Sequence, residues 1–193
     1  MLSLKDSLKI LKETDALIEG HFILSSGLHS TQYIQCAKLL STPNKADKIC
    51  SSLAEKINNE FNNIDIILSP AMGGIIIGYE IGKKLNTKTI FCERVNGKFE
   101  LRRGFNIPKN SNILIVEDVI TTGKSSLESS KLILKAQANI LGYACIINRS
   151  NGKSLIKDKI ISQIDIEIPT FQSDNLPEGL DKIKPIKPGS RNL

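Results

Sequence analysis

The chain has no tryptophan, and only 5% of its residues are aromatic. A single-stranded nucleic-acid surface needs aromatic platforms interleaved with basic residues. Here the lysines are spread along the whole sequence, and no basic helix stands out. The net charge of +6 is therefore read as serving small anionic substrates and a solvated surface, with no nucleic acid among the expected partners. Cysteine is also sparse. Cys36, Cys50, Cys92 and Cys145 are scattered without metal-ligand spacing, which argues against zinc and against a disulfide framework and fits reduced thiols. No apolar run approaches the ~20 residues that a membrane helix requires. The N-terminus carries Asp6 and Glu13 among its lysines and lacks the apolar core of a signal peptide. The expected location is cytoplasmic, with no membrane partner.

What remains describes one globular enzyme-sized unit. A chain of 193 residues, 40% hydrophobic and 24% charged, suffices for a single core. Apolar Leu4, Leu8, Leu11 and Ile18 predict a helix over 4–19, stopped at Gly20. Residues 21–40 read as strand and turn. Pro43 opens a second helix running to about 60, with Ile49, Leu53 and Ile57 on one face. A short buried strand over 64–68 precedes a tight loop at 69–74 and a helix ending near 85. Strands over 88–94 and 112–117, a helix over 124–137 and a strand over 140–147 complete an alternation of β and α. That order implies an α/β fold with a doubly wound, mostly parallel sheet flanked by helices. Residues 174–193 are rich in Pro, Lys and Gly and are expected to form an irregular tail.

The densest chemistry lies in Ile113-Leu114-Ile115-Val116-Glu117-Asp118-Val119-Ile120-Thr121-Thr122-Gly123-Lys124-Ser125-Ser126. A buried strand leads to two carboxylates, then to a hydroxyl-rich loop around one glycine, then to a helix. Open α/β sheets bind ligands beyond the carboxyl ends of their strands. Free amides over Thr121 to Ser125, at the positive end of a helix dipole, form an anion cradle. Thr121, Thr122, Ser125 and Ser126 add hydroxyl donors. Glu117 and Asp118 would repel a bare phosphate. Accepting hydrogen bonds from a ribose diol, directly or through hydrated Mg²⁺, suits them better. Gly123-Lys124-Ser125 matches the end of a Walker A loop, but Asp118 stands where its first glycine should be, so that motif is rejected.

Two further segments carry candidate function. The loop Ser69-Pro70-Ala71-Met72-Gly73-Gly74 also joins a strand to a helix, so its amides can hold a second anion, and Gly73 and Gly74 remove side chains that would block a diphosphate. Over 95–110, Asn96-Gly97 is a hairpin signal. Arg94, Lys98, Arg102 and Arg103 supply four cations in a segment with little apolar anchoring. Such a loop can close over a leaving group as negative charge builds on it.

Residues 113–126 resemble the phosphoribosyl pyrophosphate (PRPP) motif of type I phosphoribosyltransferases. His21-Phe22-Ile23-Leu24-Ser25-Ser26-Gly27-Leu28-His29-Ser30, followed by Tyr33, resembles the N-terminal segment of the orotate branch. Glu93 to Lys98 and Leu101 to Phe105 resemble the mobile loop of its short bacterial form. The resemblance spans about 4–149. It implies a type I phosphoribosyltransferase fold in one domain over 1–193, with residues 1–40 and a C-terminal segment forming a small hood.

The same resemblance implies Mg²⁺-dependent transfer of ribose 5-phosphate from PRPP to orotate, in a homodimer. PRPP would be held by Glu117, Asp118, Val119, Ile120, Thr121, Thr122, Gly123, Lys124, Ser125, Arg94, Ala71, Gly73 and Gly74. Orotate falls to Thr121 and Arg149, and catalytic roles to Lys98, Glu117 and Asp118, with Mg²⁺ carried mainly by PRPP and water. The chain departs from the longer family form in lacking a loop histidine and in having Ser25 where a lysine is usual. Lys98 or an arginine must then take any acid–base role, or none is needed. Two alternatives stand beside this reading: transfer to another base, and a PRPP-sensing regulator of the same fold, for which residues 1–20 leave no room for a winged helix.

Overall fold

The computed structural model describes residues 1–24 and 26–188; Ser25 and residues 189–193, the end of the expected tail, lie outside the described residues. The elements run α1 (Leu4–Glu13), β1 (Leu17–Ile23), β2 (His29–Ile34), α2 (Cys36–Leu40), α3 (Pro43–Glu60), β3 (Ile66–Pro70), α4 (Gly73–Leu85), β4 (Lys88–Val95), β5 (Lys98–Leu101), β6 (Asn112–Ile120), α5 (Lys124–Lys135), β7 (Asn139–Asn148), β8 (Ile160–Asp165) and β9 (Thr170–Phe171), then a 3₁₀ turn at Leu180–Lys182.

Six strands form the main sheet in the order β5-β4-β3-β6-β7-β8. All neighbours are parallel except the β4–β5 hairpin. Alternation along β6 divides the core. Leu114 and Val116 join the cluster built with Ile49, Leu53 and Ile57 of α3 and Ile77 and Ile81 of α4. Ile113 and Ile115 join the opposite cluster, with Ile133 of α5. Strands buried on both faces read as unbroken apolar runs, as parallel strands do.

The first helix is shorter than its apolar spacing suggests. It ends at Glu13, Asp15 takes a left-handed φ of 53°, and Leu17–Ile23 pairs antiparallel with β2. Ile18 and Gly20 therefore belong to a strand, because cross-strand pairing overrides a helical period that only four residues define. β2 also pairs with β9, 140 positions beyond it at Ser30↔Thr170 (170 − 30). Ile186 then adds a bridge to Phe22, and its amide donates to the His21 carbonyl at 2.8 Å. The result is a three-stranded sheet beside the main one, drawn from both ends of the chain. His21 is 3% exposed and links the parts: its Nδ1 lies 2.8 Å from the Ile183 carbonyl and its Nε2 lies 2.6 Å from His29 Nδ1.

Candidate active site

β6 continues two residues past the acid pair and stays hydrogen-bonded to β7 as far as Ile120↔Asn148. Glu117 and Asp118 therefore sit within the ladder, and the period of two sends them to opposite faces. Glu117 turns to the α5 side, where the buried Ser126 hydroxyl donates to its Oε1. Asp118 turns to the α4 side: a Cβ built on Gly73 would stand 2.8 Å from its Oδ2, and the Val119 amide donates to its Oδ1 at 2.9 Å. Burial pushes both carboxyls up. Glu117 rises to about 7, against the pull of its Ser126 hydrogen bond, and Asp118 rises against hydrogen bonds from backbone amides.

The loop after β6 is shaped by what packs behind it. Gly123 has φ 77°, and a Cβ there would meet Ile156 Cγ1 at 2.7 Å and Ser154 Oγ at 2.8 Å. Only glycine fits both the backbone and the space. The Leu155 amide donates to the Thr122 carbonyl at 2.9 Å, bracing the loop from a segment some thirty positions downstream. The N-cap Gly123 contributes no side chain; the Lys124 amide reaches the Thr122 hydroxyl at 3.4 Å, and the other first-turn amides are positioned for a ligand. Thr121, Thr122 and Lys124 are exposed and Ser125 is half-buried. Ser126 differs from its expected role as a donor to the ligand: it is fully buried and committed to Glu117.

The loop of residues 71–74 lies beside this one, over the same strand ends. Ala71 donates its amide to the Cys92 carbonyl at 2.8 Å, and the Ala71–Met72 peptide is cis. Gly73 and Gly74 form the first turn of α4 rather than an open loop. Gly73 is exposed over Asp118, whereas Gly74 is buried, with the Val116 carbonyl 3.1 Å and Ser69 Cβ 3.2 Å from the position of a Cβ. Gly74 thus lets the helix approach the sheet, and only Gly73 leaves room above the acid.

Arg149 follows β7. Its amide donates to the Ile120 carbonyl at 2.8 Å, one residue before Thr121. Its guanidinium is half-buried and its Nε has no hydrogen-bond partner. Burial lowers its pKa, and Tyr33 of the small sheet and Cys36 of α2 are the ionisable groups whose influence raises it. Sequence reasoning gave no place to Cys36, Ser154 or Ile156 here; they arrive through long-range packing and carry no local signal.

The basic segment is better anchored than its composition suggests. Residues 98–101 form β5, Phe99 and Ile107 are buried, and Phe105 packs edge-on against Phe91. Arg94 pairs with Glu128 of α5, donates to the Gly97 carbonyl at 2.8 Å and lies 4.1 Å over the Phe99 ring. Arg103 makes two bonds, 2.9 and 3.0 Å, to Glu93. Lys98 is exposed and lines a groove between β5 and α5 with Glu128 and Lys131. The structure therefore brings together Glu117, Asp118, Val119, Ile120, the Thr121–Ser125 loop, the Ala71–Gly74 loop and Arg149. It keeps Lys98 outside that group, and Arg94 touches it only through its influence on Glu117.

All four cysteines are free and buried. Among the described residues, no group of three or more His, Cys, Asp or Glu side chains could hold a metal ion, and no helix is long and apolar enough to cross a membrane.

Comparison with known proteins agrees with this geometry. The phosphoribosyl transferase domain family matches residues 37–182. An orotate phosphoribosyltransferase of Bartonella henselae is 44% identical over 193 residues, covering both chains fully. Another, of Methylorubrum extorquens, is 44% identical over 190 residues, covering 98% of this chain and 97% of that one. Two solved structures share the fold. Orotate phosphoribosyltransferase from Aeropyrum pernix has a TM-score of 0.70 at 21% identity, covering 82% of this chain and 92% of the other. An adenine phosphoribosyltransferase has a TM-score of 0.66 at 18% identity, covering 80% and 99%. An acid pair on opposite faces of one strand, two adjoining strand-to-helix loops and full-length relatives lead to the same place: the chain belongs to the orotate phosphoribosyltransferase family, within the type I phosphoribosyltransferase fold.

Proposed function

We propose that this protein transfers the ribose 5-phosphate group of PRPP to orotate, giving orotidine 5′-phosphate and pyrophosphate, a step of pyrimidine biosynthesis. The observation that carries the reading is Arg149. A half-buried guanidinium with an unpartnered Nε, one residue from the PRPP loop, calls for an anion. Orotate is a carboxylate, and adenine is not, which favours orotate over the bases of the neighbouring fold relatives.

In this reading the amides and hydroxyls of Thr121 to Ser125 hold the 5′-phosphate, beside the backbone of Val119 and Ile120. Glu117 and Asp118 accept from the ribose hydroxyls, one from each face of β6. Ala71, Gly73 and Gly74 line the diphosphate end, and Thr121 and Arg149 orient orotate so that N1 meets C1 of the ribose. The C1–oxygen bond to pyrophosphate breaks as the N1–C1 bond forms, and the two carboxyl groups lie near the positive charge that develops on the ribose. Lys98 and Arg94 of the hairpin supply positive charge above the departing pyrophosphate. The residues fit Mg²⁺ carried on the diphosphate and water: two carboxylates flank the sugar position, too few for a protein-built site, and the ion would neutralise the leaving group. The working unit is a cytoplasmic homodimer.

The test is orotate consumption by the purified protein, followed by ultraviolet absorbance, with adenine, hypoxanthine, guanine and uracil in parallel. The expected result is loss of the orotate signal only when PRPP and Mg²⁺ are both present. Turnover with another base and none with orotate would reassign the acceptor.

A further inference from the structure

Arg94 is a candidate PRPP residue whose guanidinium already holds a carboxylate, that of Glu128. Glu128 is the only acid of α5, the helix that follows the loop from Thr121 to Ser125. Lys124 and Lys131 stand one turn to either side of it on that helix, where side chains meet readily, yet the carboxylate pairs across to β4. Cys92 of β4 is buried in the cluster on the α5 side, and the period of two puts Arg94 on the same face. We propose that Glu128 is a positioning residue that holds Arg94 in reserve, so that the diphosphate of PRPP gains Arg94 only by displacing the Glu128 carboxylate. The assignment rests on the reading above in which Arg94 serves the departing pyrophosphate, and it names the partner that this cation must leave.

The contacts of Arg94 divide by element. Its Nη1 donates to the Gly97 carbonyl at 2.8 Å, and its guanidinium carbon lies 4.1 Å from the centre of the Phe99 ring. Both of those partners belong to the β4–β5 hairpin that carries Arg94 itself. Glu128, which accepts from Nη2, lies on another element. Of the three contacts, it alone ties the guanidinium to α5. Arg103 offers the contrast: its partner Glu93 is on β4, so that pair stays within the hairpin segment and moves with it. An anion that takes the Nη2 end of Arg94 must replace the Glu128 carboxylate, and it meets that negative charge until it does.

The pair is also weak enough to exchange. The side chains of Arg94 and Glu128 are 42% and 28% exposed, so solvent screens their attraction. A diphosphate carries more charge than a carboxylate and offers oxygens to both ends of the guanidinium. The exchange therefore runs towards PRPP, with its affinity reduced by what it takes to break the ion pair. The site is within electrostatic reach, because the charge of Arg94 already acts on Glu117, whose pKa burial raises and Arg94 lowers. A counter-ion released on binding weakens the ground-state complex and the transition state alike, so Glu128 sets the affinity for PRPP without setting the rate of the bound complex.

The test is isothermal titration of the full chain with PRPP and Mg²⁺, beside steady-state kinetics, with circular dichroism to confirm folding. Wild type is compared with Glu128→Gln, Arg94→Met and the double variant. Glu128→Gln should bind PRPP about twofold to fivefold more tightly without a rise in kcat, and Arg94→Met should bind it more weakly. In the Arg94→Met background, Glu128→Gln should add nothing, because its effect passes through the arginine. Unchanged or weaker binding in Glu128→Gln would overturn the proposal. So would an equal gain with and without Arg94, which would reduce Glu128 to one more negative charge near an anion. Full PRPP affinity in Arg94→Met alone would instead overturn the reading of Arg94 on which the proposal rests.

Discussion

Glu117 and Asp118 are consecutive in sequence and face opposite sides of β6, one under Ser126 of α5 and the other under Gly73 of α4. They cannot substitute for each other. Asp118→Asn should lower kcat/KM by two orders of magnitude or more, about 3 kcal/mol of transition-state stabilisation, with circular dichroism unchanged. Steady-state kinetics at saturating orotate checks this, and wild-type turnover in the variant would remove Asp118 from the site.

Glu117 gives a pH signature. Burial raises its pKa from 4.5 to about 7, so the folded chain keeps a proton that the unfolded chain has released. The associated stability is complete below about 4.5 and is lost as pH rises through about 7. Glu117→Gln should therefore melt near the parent at pH 4 and be more stable at pH 8, by up to about 3 kcal/mol, while losing activity. Equal melting of the two proteins at pH 8 would contradict the shift.

Arg149→Met keeps the volume and removes the charge. Loss of a buried charge-assisted pair should raise the KM for orotate by roughly tenfold to a hundredfold, leaving PRPP binding within about twofold because the loop is held by backbone bonds. Isothermal titration with PRPP alone, beside kinetics with orotate, separates the two. An equal loss for both ligands would mean that Arg149 supports the loop rather than the base.

Gly123→Ala meets a wall. With φ at 77° and Ile156 at 2.7 Å from the added carbon, the change should cost about 1–3 kcal/mol of stability and weaken PRPP binding. Gly97 provides the comparison: its φ is 80° but nothing stands within 4 Å, so Gly97→Ala should carry the backbone cost alone. Thermal melts of both variants test the difference.

Lys98 decides how far the hairpin takes part. It stands outside the acid group, yet resemblance gives it a catalytic role. Lys98→Ala should lower kcat by about tenfold with little change in KM for PRPP if the hairpin closes during turnover. Unchanged kcat would confine Lys98 to the surface groove.

The parts of the fold that were legible in the sequence are those whose information is local. Pro43 opened α3 where expected, Asn96-Gly97 turned the β4–β5 hairpin, and the run from Ile113 to Val116 was a strand buried on both faces. The loop from Thr121 to Ser125 could be placed because its strand, acids, glycine and helix are consecutive. What could not be read depends on partners far away in the chain. β8 has no strong pattern until β7 pairs with it. Residues 17–19 look helical until β2 lies beside them. Ser126 looks like a ligand donor until the turn of α5 directs it at Glu117, and Arg94 looks free until Glu128 comes within reach.

The His21–Ile183 contact spans 162 positions, and that separation governs timing. The β1–β2 hairpin can close as soon as it is made, but the strand and strap that finish the small sheet come from the far end of the chain. Contacts of such long range bear the largest loop-closure cost, so this sheet should be the last part to lock during folding. Tyr33 belongs to it and acts electrostatically on Arg149, whereas the loop from Thr121 to Ser125 belongs to the main sheet. Under the proposed assignment of ligands, a newly made chain would then become able to hold the phosphorylated sugar before it can distinguish one base from another.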